Sequence, residues 1–261
     1  MTKHSMIVKS MKSIISSKLI ALYTLIILVN VAGNSYGHKE KYALGSINGT
    51  SISIPNEYTY FPVNYIGEDI WAGKRLNIEP TLSTPISTAS LIVRLPDMTP
   101  KTTANEKERI HAIRTSDRRL WITIQIEGHK TEEHPWVKAV VHRIKNRNSF
   151  VEKAVGWEYR KAGGKFGLTE ELLTGGDEKL RKKYWTSDEN LMYDEHKWTS
   201  YIQCNTNELK YNSKQVCTQT FSLKPTMNAF VKVRYESSNL KDWSIIQDKL
   251  TKLINSFIVR N

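Results

Sequence analysis

The sequence predicts an α+β protein: an antiparallel sheet, a disulfide-clamped hairpin within it, and a C-terminal amphipathic helix packed on it. Three observations carry that reading. Short runs alternate apolar and polar residues, as in Leu120, Ile122, Ile124 and Ile126, which puts the apolar set on one face of a strand. Two such runs, 200–204 and 216–223, contain Cys204 and Cys217 and flank a polar loop. The last apolar residues, Trp243, Ile246, Leu250, Leu253 and Phe257, recur at helical spacing and form one stripe.

Residues 1–37 differ in kind from the rest. They carry Lys3, Lys9, Lys12 and Lys18, no acidic residue, then an apolar run over 19–32, and finally the small-residue exit Ser35-Tyr36-Gly37. That order is a secretory signal, with cleavage expected after Gly37 and a mature chain starting at His38. The apolar run is too short to be an anchor, since crossing a bilayer takes roughly 20 apolar residues. Met1, Met6 and Met11 each leave a basic segment ahead of the run, so export is expected from any of the three starts. The expected address is the periplasm, which makes nucleic acid a poor partner. Losing the four lysines lowers the net charge from +12 to +8, so part of the basic balance belongs to the signal.

The remaining residues, 38–261, are enough for one good-sized core and are read as a single globular α+β domain. Two cysteines in an exported chain most simply pair, and closing so short a loop stabilises by roughly 3 kcal/mol in the chain-entropy model. With no second pair and no histidine nearby they make a poor metal site.

Along the mature chain, Asn48-Gly49 between two apolar runs over 44–54 predicts a hairpin, because this dipeptide readily takes positive φ. Asn48-Gly49-Thr50 is also a glycosylation sequon, read here as the turn. An aromatic-rich extended stretch follows to Trp71, and 80–87 reads as loop. Strands are expected over 90–95 and 120–126. Between them, 101–119 is dense in charge and reads as a solvated, mobile excursion.

After Pro135, the spacing of Val137, Val140, Val141 and Ile144 predicts a short basic helix. A strand is expected over 154–160, a turn over 163–167, and a mostly polar region over 175–197. Ala229, Val231, Val233 and Tyr235 alternate as a further strand, and Ser238 and Asn239 supply capping chemistry before the final helix.

Catalytic motifs are scarce. His129, Glu132, Glu133 and His134 cluster, but two zinc-binding histidines on a helix need a four-residue spacing, and here it is five with Pro135 next. A polar turn is the plainer reading. Ser238-Asn239-Leu240-Lys241 has the Ser-x-x-Lys spacing without its companion motifs, and a serine at a helix start is ordinarily a cap. Two basic runs, Lys179, Arg181, Lys182 and Lys183, and His142, Arg143, Lys145 and Arg147, suit a solvated face or an anionic surface.

The runs Tyr201-Ile202-Gln203-Cys204, Val216-Cys217-Thr218-Gln219-Thr220-Phe221, Val231-Lys232-Val233-Arg234-Tyr235 and Leu240-Lys241-Asp242-Trp243 quote a pattern. With Ser256-Phe257, Ile47-Asn48-Gly49, Ile54-Pro55, Phe61-Pro62-Val63 and Leu95-Pro96-Asp97, they resemble exported immunity proteins of Gram-negative bacteria that neutralise type VI secretion effectors, phospholipase toxins among them. Many such proteins are lipoproteins, and this chain has no cysteine at the cleavage point to acylate. The resemblance implies a binder that occludes a secreted toxin, with no cofactor and no catalytic residues of its own. Interface anchors are typically Trp, Tyr and Arg. That makes Arg114, Arg118 and Arg119 of the charged excursion, with Tyr184, Trp185 and Trp198, the expected partner-binding residues. Two rivals stand beside it: an exported hydrolase with scattered groups (His129, Glu132, Glu133, His134), and an envelope accessory protein that binds anionic surfaces through the basic runs.

Overall fold

The computed structural model describes residues 41–69, 72–115, 117–129, 136–145, 157–175, 189–205 and 215–260. The expected signal segment therefore lies outside the described residues, and Tyr42–Asn261 form one compact unit.

Strands β1 (Tyr42–Ile47) and β2 (Thr50–Pro55) pair antiparallel around Asn48 and Gly49. Both turn residues have positive φ, 46° and 83°, as a tight hairpin turn demands. Both donors of the Asn48 amide are used: its Nδ2 donates to the carbonyls of His129 and Asn228, each at 2.9 Å. Gly128 makes room for this, since a Cβ there would lie 2.7 Å from Asn48 Oδ1. The sequon is thus a structural turn pinned to the rest of the fold.

The second sheet has nine strands: β3 (Asn64–Tyr65), β4 (Ile86–Arg94), β5 (Trp121–Gly128), β6 (Trp157–Lys165), β7 (Leu168–Gly175), β8 (Glu189–Tyr193), β9 (Ser200–Asn205), β10 (Val216–Ser222) and β11 (Ala229–Glu236). Their order is β3-β4-β5-β11-β10-β9-β8-β7-β6, and every neighbouring pair is antiparallel. Cys204 and Cys217 are direct cross-strand partners of β9 and β10 and are bonded to each other. Three α-helices complete the described fold: α1 (Glu106–Arg114), α2 (Trp136–Lys145) and α3 (Trp243–Ser256), the last entered through a 3₁₀ turn, Ser237–Asp242.

The main core lies on one face of this sheet. Ile122, Ile124 and Ile126 of β5 and Val231, Val233 and Tyr235 of β11 meet Ile246, Leu250 and Ile254 of α3, with Ile47, Ile52 and Ile54 of the β1–β2 hairpin. A satisfied polar network sits inside it. Fully buried Gln219 donates to Ser200 Oγ (3.1 Å) and Gln247 Oε1 (3.0 Å), and accepts from the Tyr235 hydroxyl at 3.0 Å. Burial pushes that hydroxyl's pKa far up, so it stays a donor.

Three sequence expectations are corrected. The charged excursion contains α1, which buries little apolar surface of its own beyond Ala112. Glu108 fastens it to the sheet, accepting from Arg94 Nε at 2.9 Å and from the Trp121 indole at 2.8 Å. The polar region 175–197 contains β8, whose Leu191, Met192 and Tyr193 are buried on alternating faces. Ser238 and Asn239 cap no helix: Ser238 turns to Glu236 (3.4 Å), and the Asn239 amide donates to the Arg119 carbonyl at 2.9 Å, tying the helix entry to the segment before β5.

Candidate functional site

The sheet's other face is built differently. Residues that pair directly across an antiparallel ladder share a face. One row of such partners runs Ile92 (β4), Thr123 (β5), Arg234 (β11), Thr218 (β10), Gln203 (β9) and Leu191 (β8). Its ends are apolar and covered. At one end, Ile92 and Trp121 pack against Ala112 of α1 with Tyr60 alongside. At the other, Leu191, Tyr193 and Tyr201 pack against Val137, Val141 and Ile144 of α2. The middle of the row is polar. Two helices thus sit on one sheet face as separate pads with a polar saddle between them.

At the α1 edge of the saddle is a small, solvent-open cleft, lined by Tyr60, Ile92, Ala112, Ile113, Asp117, Arg118, Trp121 and Thr123. The cations around it differ in their partners. Arg94 is bound by Glu108, Arg109 by Glu106, and Arg119 by Asp117. Each of these carboxylates holds its arginine's pKa above the ordinary value. Arg118 differs from these three. Its Nη1 donates to Thr123 Oγ1 at 2.9 Å, and among the described residues no carboxylate pairs with it. Burial, and then the like charge of Arg234, pull its pKa below the ordinary value, with Tyr60 opposing. It nonetheless stays protonated at neutral pH. Arg234, the Cα partner of Thr123, is exposed and likewise has no carboxylate among the described residues.

Further along the saddle, charge is balanced. Lys232 Nζ donates to Glu127 Oε1 at 3.4 Å and lies over the Phe230 ring, 5.1 Å from its centroid. Under α2, Glu171 is 3 % exposed, and its Oε1 accepts from Lys145 Nζ (2.6 Å) and from the Tyr193 hydroxyl (2.7 Å). That neutralises one member of a basic run and fastens α2 to β7.

The sequence-expected residues fall as follows. Arg114 is exposed in the last turn of α1. Arg118 points into the cleft, and Arg119 forms its rim through Asp117. Trp198 is half-buried, stacked on Tyr193 with ring centroids 5.1 Å apart, on the α2 side and not with the arginines. Tyr184 and Trp185 lie outside the described residues, as do Lys179, Arg181, Lys182, Lys183 and Arg147.

Of the rival catalytic cluster, His129 is a core histidine: 7 % exposed, in contact with Ser222 Oγ at 3.0 Å, and packed against Trp136 and Phe230. Glu132, Glu133 and His134 lie outside the described residues. Among the described residues, no group of His, Cys, Asp and Glu is placed to hold a metal. The sequence does not point to Arg234, Tyr60 or Thr123: its one signal is Arg234 at a polar position of an alternating strand, which gives a face but no neighbours.

Chemically, then, the face offers a cation with spare donors beside apolar walls. The architecture is that of a sheet-based α+β protein with a mixed polar and apolar surface between two helices. No protein-family model matches the chain, and no curated protein matches its sequence. Among solved structures, it is similar in fold to an immunity protein of the Stenotrophomonas maltophilia type IV secretion system. That match has 15% identity and a TM-score of 0.53, over 86% of this chain and 97% of the other. A second match, the iron-regulated outer membrane lipoprotein of Neisseria meningitidis, has 11% identity over 84% of this chain and 93% of the other, with a TM-score of 0.46.

Proposed function

We propose that the protein is an exported immunity protein that binds a secreted antibacterial toxin and neutralises it by occlusion. The observation that carries this is the fold shared with the Stenotrophomonas maltophilia immunity protein, which extends over nearly all of that chain. The Cys204–Cys217 disulfide fits an oxidising compartment, and the N-terminal pattern fits cleavage after Gly37 and a periplasmic address. Occlusion needs shape and anchors and no catalytic groups, and the saddle with its arginines is our candidate for both. The finer expectation, from the resemblance of the motifs, is a type VI effector with phospholipase activity as the toxin.

The test uses tagged residues 38–261 as bait in periplasmic and co-culture extracts, with mass spectrometry of what survives a high-salt wash. The expected result is one stoichiometric secreted toxin. That toxin, directed to the periplasm of a sensitive strain, should kill cells lacking this protein and spare cells that export it. An empty bait from extracts known to contain effectors, or capture without protection, overturns the proposal.

A further inference from the structure

Arg118 is partly buried yet has no carboxylate among the described residues, although the acids around it are all committed. Asp117, its sequence neighbour, accepts from the Arg119 backbone N–H and Nε, each at 3.0 Å. Glu108 is held by Arg94 and Trp121, and Glu106 by Arg109. The one bond from Arg118 to Thr123 uses a single donor of a guanidinium that has five. The remaining donors border a cleft with Tyr60 and Ile113 as apolar walls, Ile113 being 37 % exposed. Arg234 adds a second positive charge acting on the same spot. A guanidinium preorganised by one hydrogen bond, screened by apolar side chains and reinforced by a second cation, is complementary to a planar carboxylate.

We propose that the Arg118 cleft is the receptor for an acidic side chain, Asp or Glu, presented by the protein that this chain binds. The proposal rests on the immunity reading for the partner's identity, and on the cleft alone for its chemistry. Tyr60 and Ile113 would cover the carbon chain of the incoming residue, Arg118 would take its carboxylate, and Arg234 would add charge from the side.

The experiment is a titration of the disulfide-bonded mature chain, residues 38–261, with the Arg Nε–H resonances followed by NMR. The probes are the capped tripeptide acetyl-Leu-Glu-Leu-amide, its Gln counterpart, and phosphatidylglycerol vesicles. The expected result is a saturable shift of the Arg118 resonance with the Glu peptide, below roughly 100 mM, where a lone charge-assisted contact is detectable. The Gln peptide should be at least about tenfold weaker, a step corresponding to one lost charge-assisted bond. With Arg118→Met, the Glu-specific shift of neighbouring Thr123 should vanish, and with Arg234→Ala it should weaken about two- to fivefold, as for one screened charge. Equal response to the Glu and Gln peptides, no saturation, or a Thr123 response that survives in Arg118→Met overturns the proposal. Vesicles that shift Arg118 while the peptide does not would overturn it in favour of a lipid headgroup. Toxin capture that succeeds while the peptide titration fails places the toxin's anchor elsewhere; a peptide response without toxin capture refutes the immunity reading and leaves the cleft's chemistry standing.

Discussion

The two faces of the nine-stranded sheet solve the same problem in opposite ways. On the α3 face, strand residues from β4 to β9 and the β1–β2 hairpin join one continuous apolar core, and the polar groups inside it, Gln219, Ser200 and Tyr235, satisfy each other. On the α1 and α2 face, two small clusters are separated by a polar row, and each helix is fastened by an ionic contact, solvent-exposed at Glu108 for α1 and buried at Glu171 for α2. Continuous burial gives stability, and the divided face gives a surface with something left over to bind. The face with less core is the one on which the binding proposal rests.

The contrast should appear most strongly in stability. Leu250 of α3 is fully buried in the continuous core, so Leu250→Ala should cost about 3–5 kcal/mol in urea unfolding, through lost transfer energy and the cavity left behind. Val141→Ala, on the buried side of α2, should cost about 1–2 kcal/mol, since a smaller side chain is cut back in a separate, smaller cluster. Hydrogen exchange sharpens the point. Val141→Ala should speed exchange in α2 and leave β10 and β11 unchanged, whereas Leu250→Ala should lower protection throughout. Equal, global effects of both variants would show that the two faces unfold as one.

The Glu171 clamp comes next. Glu171→Gln keeps the shape but weakens the bond to Lys145 and disturbs that to Tyr193, so the expected cost is about 1–3 kcal/mol, read as loss of α2 protection. A variant indistinguishable from the parent would mean that α2 is held by its apolar face alone.

A smaller effect is expected of acid at the other helix. Hydrogen bonds from Arg94 and then Trp121 keep Glu108 below its ordinary pKa of 4.5. A folded pKa lower than the unfolded one means the contribution is fully present above pH 4.5 and is lost as pH falls through the lowered value. The Trp121 indole N–H resonance should therefore move with acid at a midpoint below 4.5. Glu108→Gln should abolish that step and cost less than about 1 kcal/mol, because the pair is part exposed. A midpoint above 4.5 would contradict the assignment.

Much of this architecture was legible in the sequence. Asn48-Gly49 marked its hairpin, the isoleucines of β5 marked their face, and the stripes of α2 and α3 stood at helical spacing, because in each case one local period reports burial. What was not legible depended on partners distant along the chain. Helix α1 has almost no apolar stripe and is held by Arg94 and Trp121, so its segment read as loop. β8 brings only three apolar residues, Leu191, Met192 and Tyr193, too short a run within a polar segment to show a period. The cleft needs Arg118 and Arg234 together, and only the β5–β11 register, Thr123 opposite Arg234, joins them. Three arginines of one segment, Arg114, Arg118 and Arg119, look alike in sequence; that Arg118 is the partly buried one, and that it has no carboxylate among the described residues, is a tertiary fact.

The smallest expected change in stability comes from the residue with the largest expected role in binding. Arg118 bears a desolvation cost and repulsion from Arg234, against which the fold sets one hydrogen bond to Thr123. Replacing a partly buried charge that lacks a counter-charge by an apolar side chain of similar length removes the cost with the benefit. Arg118→Met should therefore shift stability by no more than about 0.5 kcal/mol, or raise it. Arg119 offers the control on the same rim: Arg119→Met leaves Asp117 without its bidentate partner, so it should be the more destabilising of the two. Urea midpoints of both variants decide the matter. If Arg118→Met lost more than about 1.5 kcal/mol, as for a satisfied buried charge, the guanidinium would be a strut of the fold, and the divided face would be stabilised where it is here expected to bind.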